Sequence, residues 1–492
     1  MALLNRRAAG FLAATLLGTT ALHADVTAED VWQSWSESYG ALGYEIVVGA
    51  QDRSGDTLTL REVVLTADMP EARTVFTIPE LRLQEQRGKV AVSLADTMTA
   101  ETTATADAES VTLRMTMRQR DFAALVSGVP DNLAYDIDAP EIVVEMDQVQ
   151  SDGQAVPVTM QATIEDSKGT YLVVKDGGQK MTSDIRTQGA RFTLSGADPA
   201  DGTTFTMQGN LADLALTGTI FMPEGIDVQA PEAAFAAGMN VELDVGYGAG
   251  SYAIDAESPD GPFKIESSVD SGAFAMTVSQ EKLAYRAAGK GTDLAMAVPD
   301  LPFPVSLRLD EVLFNFDFPM AASETALPFA AAVRVVGLSI SEEIWGMFDP
   351  AAQLPRDPAT LIVDLSGKIR PLVDLLSTEA AEASVPPAEI EALDINEVEL
   401  TLAGAAFTGA GAMTFDNSVG IPMPIGALDL RLVGANALMD RLVAMGLMPE
   451  DQVMFARMML GLYAVPSGDD ALTSKIEFKE GGEILANGQR IQ

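Results

Sequence analysis

The chain contains no cysteine, and its only histidine is His23. Disulfide bonds and thiolate metal sites are therefore excluded. If the chain is cleaved after Ala24, the mature protein also lacks histidine, so Ser-His-Asp and Cys-His nucleophile systems cannot form and zinc and copper lose their usual ligands. Carboxylates, Lys, Ser and Tyr remain as catalytic material. We therefore expect a protein that is not an enzyme and that uses no cofactor or metal.

Basic residues are also scarce, with 31 Lys and Arg against 71 Asp and Glu, which gives a formal net charge of −40. Nucleic acid is excluded as a partner, because binding it requires a basic surface that neutralises phosphates. Charge attraction to an anionic membrane is disfavoured for the same reason. Aromatic residues make up only 6% of the chain, while hydrophobic residues make up 47% and include 23 Met. The apolar surfaces must therefore be built mainly from aliphatic side chains.

The first 24 residues have the pattern of a secretory signal peptide. Arg6 and Arg7 precede an apolar run, small residues precede Asp25, and no acidic residue occurs before Asp25. The apolar run is shorter than the roughly 20 residues needed to span a bilayer, although an uncleaved N-terminal anchor is an alternative. We expect a periplasmic protein with no integral membrane span after removal of the signal.

Most of the remaining chain alternates between apolar and polar residues, as in Val241 to Val245, where every second side chain is acidic. Such alternation predicts strands of an antiparallel sheet with one apolar and one polar face. The segments 156–164 and 171–174 are predicted as separate strands. The fold class is therefore mainly β (α+β), as one long curved antiparallel sheet or as two stacked β-rich domains with short covering helices. The break near 222–237 predicts an N-terminal domain over 25–235 and a C-terminal domain over 236–492.

Helical spacing appears at a few places in the chain. Thr27 and the apolar residues from Val31 to Tyr39 predict a leading helix that covers an open end of the sheet. Further helices are predicted at 121–126, 341–348, 371–381, 436–445 and 449–463. The last two are expected to form a helical hairpin, followed by a β-hairpin within 472–491.

Apolar side chains on the predicted strands are the candidate ligand-binding residues. A long sheet has more apolar face than these few helices could cover, and methionine adapts to varied ligands. Ordinary core packing is the alternative explanation of the same pattern. The candidate groove residues are Met115, Met117, Met160, Phe274, Met276 and Phe316.

A Pro- and Asp-rich run is predicted to form a rigid structural turn. Its residues are Asp349, Pro350, Pro355, Arg356 and Asp357. With Asp364, these carboxylates have a second interpretation, as a general acid and base pair or as a calcium site. Capping of turns, with Arg356 as an ion-pair partner, is favoured.

The run from Ile344 to Pro358, the segment Asp364 to Gly367 and the closing residues Asn487 to Gln489 resemble the exported proteins grouped as domain of unknown function 2125. The resemblance covers nearly the whole chain after the signal. That family is distantly similar to AsmA-like envelope proteins, whose long curved sheets form apolar grooves implicated in accommodating lipids. The resemblance implies such a groove and brings no catalytic residues.

Two functional hypotheses remain open. In the first, a non-catalytic periplasmic protein binds a lipid or other hydrophobic ligand on the apolar face of the sheet. In the second, the protein is a structural or protein-interaction module of the cell envelope, with an envelope protein as partner and no small-molecule ligand.

Overall fold

The structure is a computed structural model, and it describes residues 25–491 except 70, 107–108, 199–200, 227–230, 376, 378–379, 381–385 and 419. The predicted signal peptide, residues 1–24, lies outside the described residues. The described chain is dominated by strands, with a few short helices. The prediction of a mainly β fold is confirmed.

The first twelve strands contain many Val, Thr, Ile and Met residues, which suit a pleated surface with one buried face. They are β1 (Tyr44–Ser54), β2 (Thr57–Met69), β3 (Ala72–Gln86), β4 (Lys89–Leu94), β5 (Thr97–Ala106), β6 (Glu109–Arg120), β7 (Ala123–Val129), β8 (Asn132–Ser151), β9 (Gln154–Val156), β10 (Val158–Lys175), β11 (Gly178–Ala197) and β12 (Thr204–Pro223).

The remaining strands continue the same sheet. They are β13 (Asn240–Tyr247), β14 (Gly250–Ser258), β15 (Gly261–Val269), β16 (Ser271–Ser279), β17 (Lys282–Ala297), β18 (Val305–Pro319), β19 (Leu327–Ile340), β20 (Ala359–Pro371), β21 (Ala388–Leu402), β22 (Ala405–Asp416), β23 (Met423–Val433), β24 (Val465–Gly468), β25 (Ala471–Phe478), β26 (Ile484–Ala486) and β27 (Gln489–Arg490).

Five α-helices interrupt the strands in the described part of the chain. They are α1 (Ala28–Ala41), α2 (Pro231–Ala236), α3 (Glu342–Phe348), α4 (Ala435–Ala444) and α5 (Glu450–Tyr463), and a short 3₁₀ turn spans Glu480–Gly482. Thr27 and Asp30 form a capping box at the start of α1, as the sequence predicts. Within the described residues, no helix is both long enough and apolar enough to cross a membrane.

All 27 strands belong to one antiparallel sheet. Long strands alternate with pairs of short strands laid end to end. β3 pairs with β4 along one half of its length and with β5 along the other, and β8 pairs in the same way with β7 and β6. Between β12 and β17, the same arrangement is formed by β13 and β16 on one half and by β14 and β15 on the other. The sheet therefore has two halves, which the long strands join.

A line of irregular residues crosses the strands where the two halves meet, and we call it the crease. Here the ladder of paired residues skips one position in each strand, and several of the skipped residues have left-handed backbone angles. Asp and Gly tolerate this conformation better than most residues. The crease residues are Glu62, Pro79, Pro140, Asp166, Gln188, Asp213, Asp270, Gly291, Asp310 and Gly337.

The crease resets the alternation of side chains along each long strand. In β10, the side chains at 159 and 161 are exposed before Asp166, whereas those at 168, 170 and 172 are exposed after it. The exposed positions change from odd to even numbers, so both halves keep their apolar side chains on the same face. Without this reset, one half of each long strand would turn its apolar residues to the other face.

The most completely buried side chains lie at the N-terminal end of the sheet. Helix α1 packs there against strands β1 to β4, β7, β8 and β10, around a cluster that includes Leu58, Leu60, Leu81 and Leu83, all fully buried. Each such side chain contributes about 1.5–3 kcal/mol of burial free energy. We call this region the closed end.

Two predicted helices differ from the structure. Residues 123–126 belong to strand β7, because Asp121, between β6 and β7, takes a left-handed angle (φ 53°) and the chain re-enters the sheet. At 371–375 the chain completes strand β20 and turns, so the predicted helix at 371–381 is absent there; most of its later residues lie outside the described residues. The predicted boundary at 235/236 lies within α2, and the next strand, β13, joins the same sheet through β12.

Replacement of Gly337 tests the crease. Its φ is 71°, and an added Cβ would lie 2.2 Å from Oδ2 and 2.9 Å from Cβ of Asp310. We expect Gly337→Ala to lower the free energy of unfolding by about 2 kcal/mol or more, from left-handed strain plus the clash. Gly177→Ala is the matched control, because Gly177 also has positive φ but open space around its Cα. If denaturant titrations show that both variants lose the same free energy of unfolding, the close contact with Asp310 is contradicted.

Candidate functional site

One face of the sheet is apolar over almost its whole length, because apolar residues pair with apolar residues from strand to strand. On one side of the crease, the paired residues form what we call the Met160 row. In order they are Ile46, Leu65, Phe76, Ala100, Met115, Met146, Met160, Leu194, Met207, Ile254, Ile265, Met296 and Val305.

A second row, the Met276 row, runs along the other side of the crease. In order its residues are Tyr135, Tyr171, Ser183, Gly218, Leu243, Met276, Tyr285, Phe316, Ala331, Leu365, Ile395, Gly411, Leu428, Ile476 and Ala486. Ser183 and the hydroxyls of the three tyrosines are its polar side-chain groups. The two rows together carry the apolar face from β1 to β26.

In the middle of the sheet this face forms an apolar groove of about 900 Å³. Its walls come from both sides of the crease, with Phe192 and Met207 on one side and Phe274 and Phe314 on the other. The ring of Tyr285 lies beside the groove, 5.2 Å from the Phe274 ring centroid and 5.6 Å from that of Phe314. The two halves of the sheet therefore share one concave apolar surface.

The groove is open to solvent. Among the described side chains from 181 to 318, Met222 and Ala234 are the hydrophobic ones that are buried. Large apolar side chains of the groove remain partly exposed, including Phe314 at 46% and Tyr252 at 40%. A contiguous exposed apolar surface of this kind is unusual on a soluble monomer.

The opposite face is polar and carries ion pairs between neighbouring strands. Arg191 pairs with Glu165, Arg308 lies 3.1 Å from Asp293, and Arg334 lies 3.1 Å from both Asp364 and Glu397. Hydrogen bonding to Asp364 raises the pKa of Arg334. Exposed pairs of this kind contribute at most about 1 kcal/mol each. Their main effect is to make this face compatible with water.

Helix α1 covers the apolar face at the closed end. Trp35 Nε1 donates a hydrogen bond of 2.9 Å to the Tyr135 hydroxyl, and the two rings stack at 6.3 Å. Beneath the helix is a cavity of about 440 Å³, lined by Trp32, Trp35, Phe76 and other apolar side chains. Met98 and Met117, from strands that continue into the open face, also line it. Burial raises the pKa of Tyr135 to about 12.

At the C-terminal end, the Pro- and Asp-rich run forms a loop after α3. The Asp349 side chain is fully buried and accepts hydrogen bonds from the backbone N–H groups of Gln353 (2.9 Å) and Leu354 (2.8 Å). The Arg356 guanidinium lies 5.6 Å from the Trp345 ring centroid and pairs with Glu342. Pro350 and Asp357 are exposed, while Pro355 is half-buried. Asp349 therefore caps the loop and has no oxygen facing solvent.

All six predicted groove residues lie on the apolar face. Met115 and Met160 belong to the Met160 row, Met276 and Phe316 to the Met276 row, and Phe274 lines the groove itself. Met117 lines the cavity beneath α1.

The prediction missed Phe192, Met207, Tyr252 and Phe314 as groove residues. Phe314 lies two positions before Phe316, so alternation within one strand could have identified it. Phe192 and Met207 lie on alternating segments too, but the pairing of β11 with β12, and of β12 with β14, places them together in the groove, and that pairing is not visible in the local sequence.

The described residues contain no group of three or more acidic or histidine side chains placed to hold a metal ion. Asp349 is engaged by backbone N–H groups, and Asp364 by Arg334 on the polar face. The structure therefore does not bring these two carboxylates together as a pair.

The geometry defines a class of protein: an extended antiparallel β-sheet with one open apolar face and one polar face. Residues 181–486 match the model of a family described as "Uncharacterized protein conserved in bacteria (DUF2125)". The match covers more than half of the chain, so the protein belongs to this family. It begins within β11 and therefore includes most of the groove lining and excludes most of the closed end. No curated protein matches the chain. Similarity to AsmA-like proteins stays a prediction.

The buried tyrosines predict a loss of stability at alkaline pH. The folded state holds the Tyr135 proton more tightly than the unfolded chain does, since the folded pKa is about 12 and the unfolded value about 10. The protonated Tyr135 hydroxyl therefore contributes to the free energy of unfolding. This contribution is complete below about pH 10 and is lost as the pH rises through about 12. We expect the free energy of unfolding to fall less steeply over this range in Tyr135→Phe than in the wild type. If the free energy of unfolding depends on pH in the same way in the wild type and in Tyr135→Phe, the burial of this hydroxyl is contradicted.

Replacement of Asp349 tests the C-terminal loop. Asp349→Ala leaves two backbone N–H groups without an acceptor, and we expect it to lower the free energy of unfolding by about 2–4 kcal/mol. Asp357→Ala is the matched control, since Asp357 is exposed in the same loop, and it should change stability by less than about 0.5 kcal/mol. Similar thermal unfolding of the two variants would contradict the capping role.

Proposed function

We propose that this protein is a non-catalytic carrier that holds the acyl chains of a lipid, or a similar elongated hydrophobic ligand, on the apolar face of its sheet. The observation that carries the proposal is the open groove, in which Phe314 and Tyr252 remain exposed although the face around them is apolar. Covering apolar surface releases about 25 cal/mol per Å². A bound acyl chain would supply the cover that the helices do not.

The dimensions of the face suit acyl chains. Neighbouring strands lie about 4.8 Å apart, so the Met160 row from β1 to β18 extends for roughly 60 Å along the sheet. The hydrocarbon core of a whole bilayer is only about 30 Å thick. One row is therefore long enough for more than one acyl chain laid end to end across the strands.

The polarity of the two faces supports the same proposal. Ion pairs and a net charge of −40 keep the outer face in water while the apolar face carries its ligand. The groove offers aromatic and aliphatic contacts and few polar groups, which favours recognition of hydrocarbon rather than of a particular headgroup. The proposed setting is the periplasm, and it rests on the sequence pattern of residues 1–24.

Substitution within the groove tests the proposal. Phe314→Glu places a carboxylate among apolar side chains, and Asn315→Glu places the same group on the polar face, beside its paired residue Arg286. We expect Phe314→Glu to lower the amount of co-purifying lipid by about tenfold or more, because burying an unpaired charge is costly. Asn315→Glu should leave the lipid unchanged. Native mass spectrometry of protein from the cells that make it gives the bound mass, and lipid extraction identifies it.

Wild-type protein of purely polypeptide mass, or equal lipid in the two variants, would contradict the proposal. Such a result would favour the alternative function, that of a protein-interaction module of the cell envelope.

A further inference from the structure

Helix α5 is apolar on two opposite sides. Its inner side, with Val453, Ala456, Leu460 and Tyr463, faces the protein, and Val453 is buried. Its outer side carries Met454, Phe455, Met458 and Leu462, whose exposed fractions are 69%, 61%, 62% and 57%. At 100° per residue these four positions fall within one stripe about 100° wide. We call this set the outer stripe.

No charged side chain lies among the four residues of the outer stripe, and Asp451, one turn before Met454, is the charged residue on the same side of the helix. The nearest basic residue along the helix is Arg457, whose guanidinium is held by Asn436 (3.0 Å) and Asp440 (2.7 Å) of α4. These bonds fix α5 against α4 and leave the stripe facing outward. Leu447, in the loop that precedes α5, is 54% exposed and adds to the apolar surface at this end of the protein.

We propose that the outer stripe inserts into the interface of a lipid bilayer and attaches the protein to a membrane surface. Four side chains of this size, each more than half exposed, present roughly 400 Å² of apolar surface. A stable protein interface needs about 800 Å² from each partner. An interfacial helix, in contrast, binds by immersing a few such side chains below the headgroups.

Charge also favours a membrane over a second copy of the chain. Each copy carries a net charge of −40, so two copies repel each other. No basic cluster flanks the stripe, because Arg441 and Arg457 are the only basic residues from 435 to 463. Binding should therefore be strongest on zwitterionic vesicles and weaker on anionic ones. On zwitterionic vesicles, binding should also be nearly independent of salt, since apolar immersion rather than ionic attraction drives it.

Vesicle flotation tests this proposal with the full chain and phosphatidylcholine vesicles. We expect the wild type to float with the vesicles, and the double variant Phe455→Ser with Met458→Ser to bind at least tenfold more weakly. Both positions are exposed, so the double variant should keep the wild-type melting curve. Ile421→Ser is the matched control: Ile421 is 68% exposed in the loop between β22 and β23, away from the stripe. Its binding should equal that of the wild type.

The proposal is overturned if the wild type stays unbound, or if the double variant floats as well as the wild type does. Sedimentation that shows a wild-type dimer and a monomeric double variant would assign the stripe to self-association instead. The proposal does not rest on the groove. Lipid co-purifying with the double variant should match the wild type, so a failure here is distinguishable from a failure of the carrier function.

Discussion

The alternation of side chains along a strand is the constraint on which the rest of this structure depends. An apolar face survives only while every strand keeps its register, since a shift of one residue turns each side chain to the opposite face. At the crease the ladder of paired residues is interrupted, and Asp166, Asp213, Gly291 and Gly337 take left-handed angles. These residues reset the alternation. The Met160 and Met276 rows consequently lie on the same face of the sheet.

Stability and proposed function occupy different parts of the sheet. The closed end, with α1 and the leucines around Leu81, buries its apolar side chains completely, as a stable core requires. The C-terminal end is fixed by the Asp349 loop and the helices above it. Between them the same alternating pattern continues with little cover. The buried packing is concentrated at the two ends, and the apolar surface in the middle of the sheet stays exposed.

Local patterns predicted much of this architecture. Periodicity predicts the antiparallel sheet and the position of Met160 and Phe316 on its apolar face. The capping residues predict the start of helix α1. The crease did not follow from these patterns. The sequence predicts separate strands at 156–164 and 171–174, whereas β10 runs through Asp166 as one strand whose alternation changes phase there. It also predicts a helix at 121–126, where the chain turns at the left-handed Asp121 and enters β7. One left-handed residue interrupts the periodic pattern, and the local sequence does not show that the strand continues beyond it. Whether the strand continues is determined by its pairing with strands that are distant in sequence.

The central claim is that both halves of the sheet contribute to one lipid-binding face. Photo-crosslinking with a diazirine-bearing fatty acid, followed by mapping of the adducts by peptide mass spectrometry, tests it most directly. The account predicts adducts on both sides of the crease, at residues such as Met207 and Phe314 that line the groove together. Polar-face neighbours such as Gln208 and Asn315 should remain unlabelled. Adducts confined to one side of the crease, or spread equally over both faces, would contradict it.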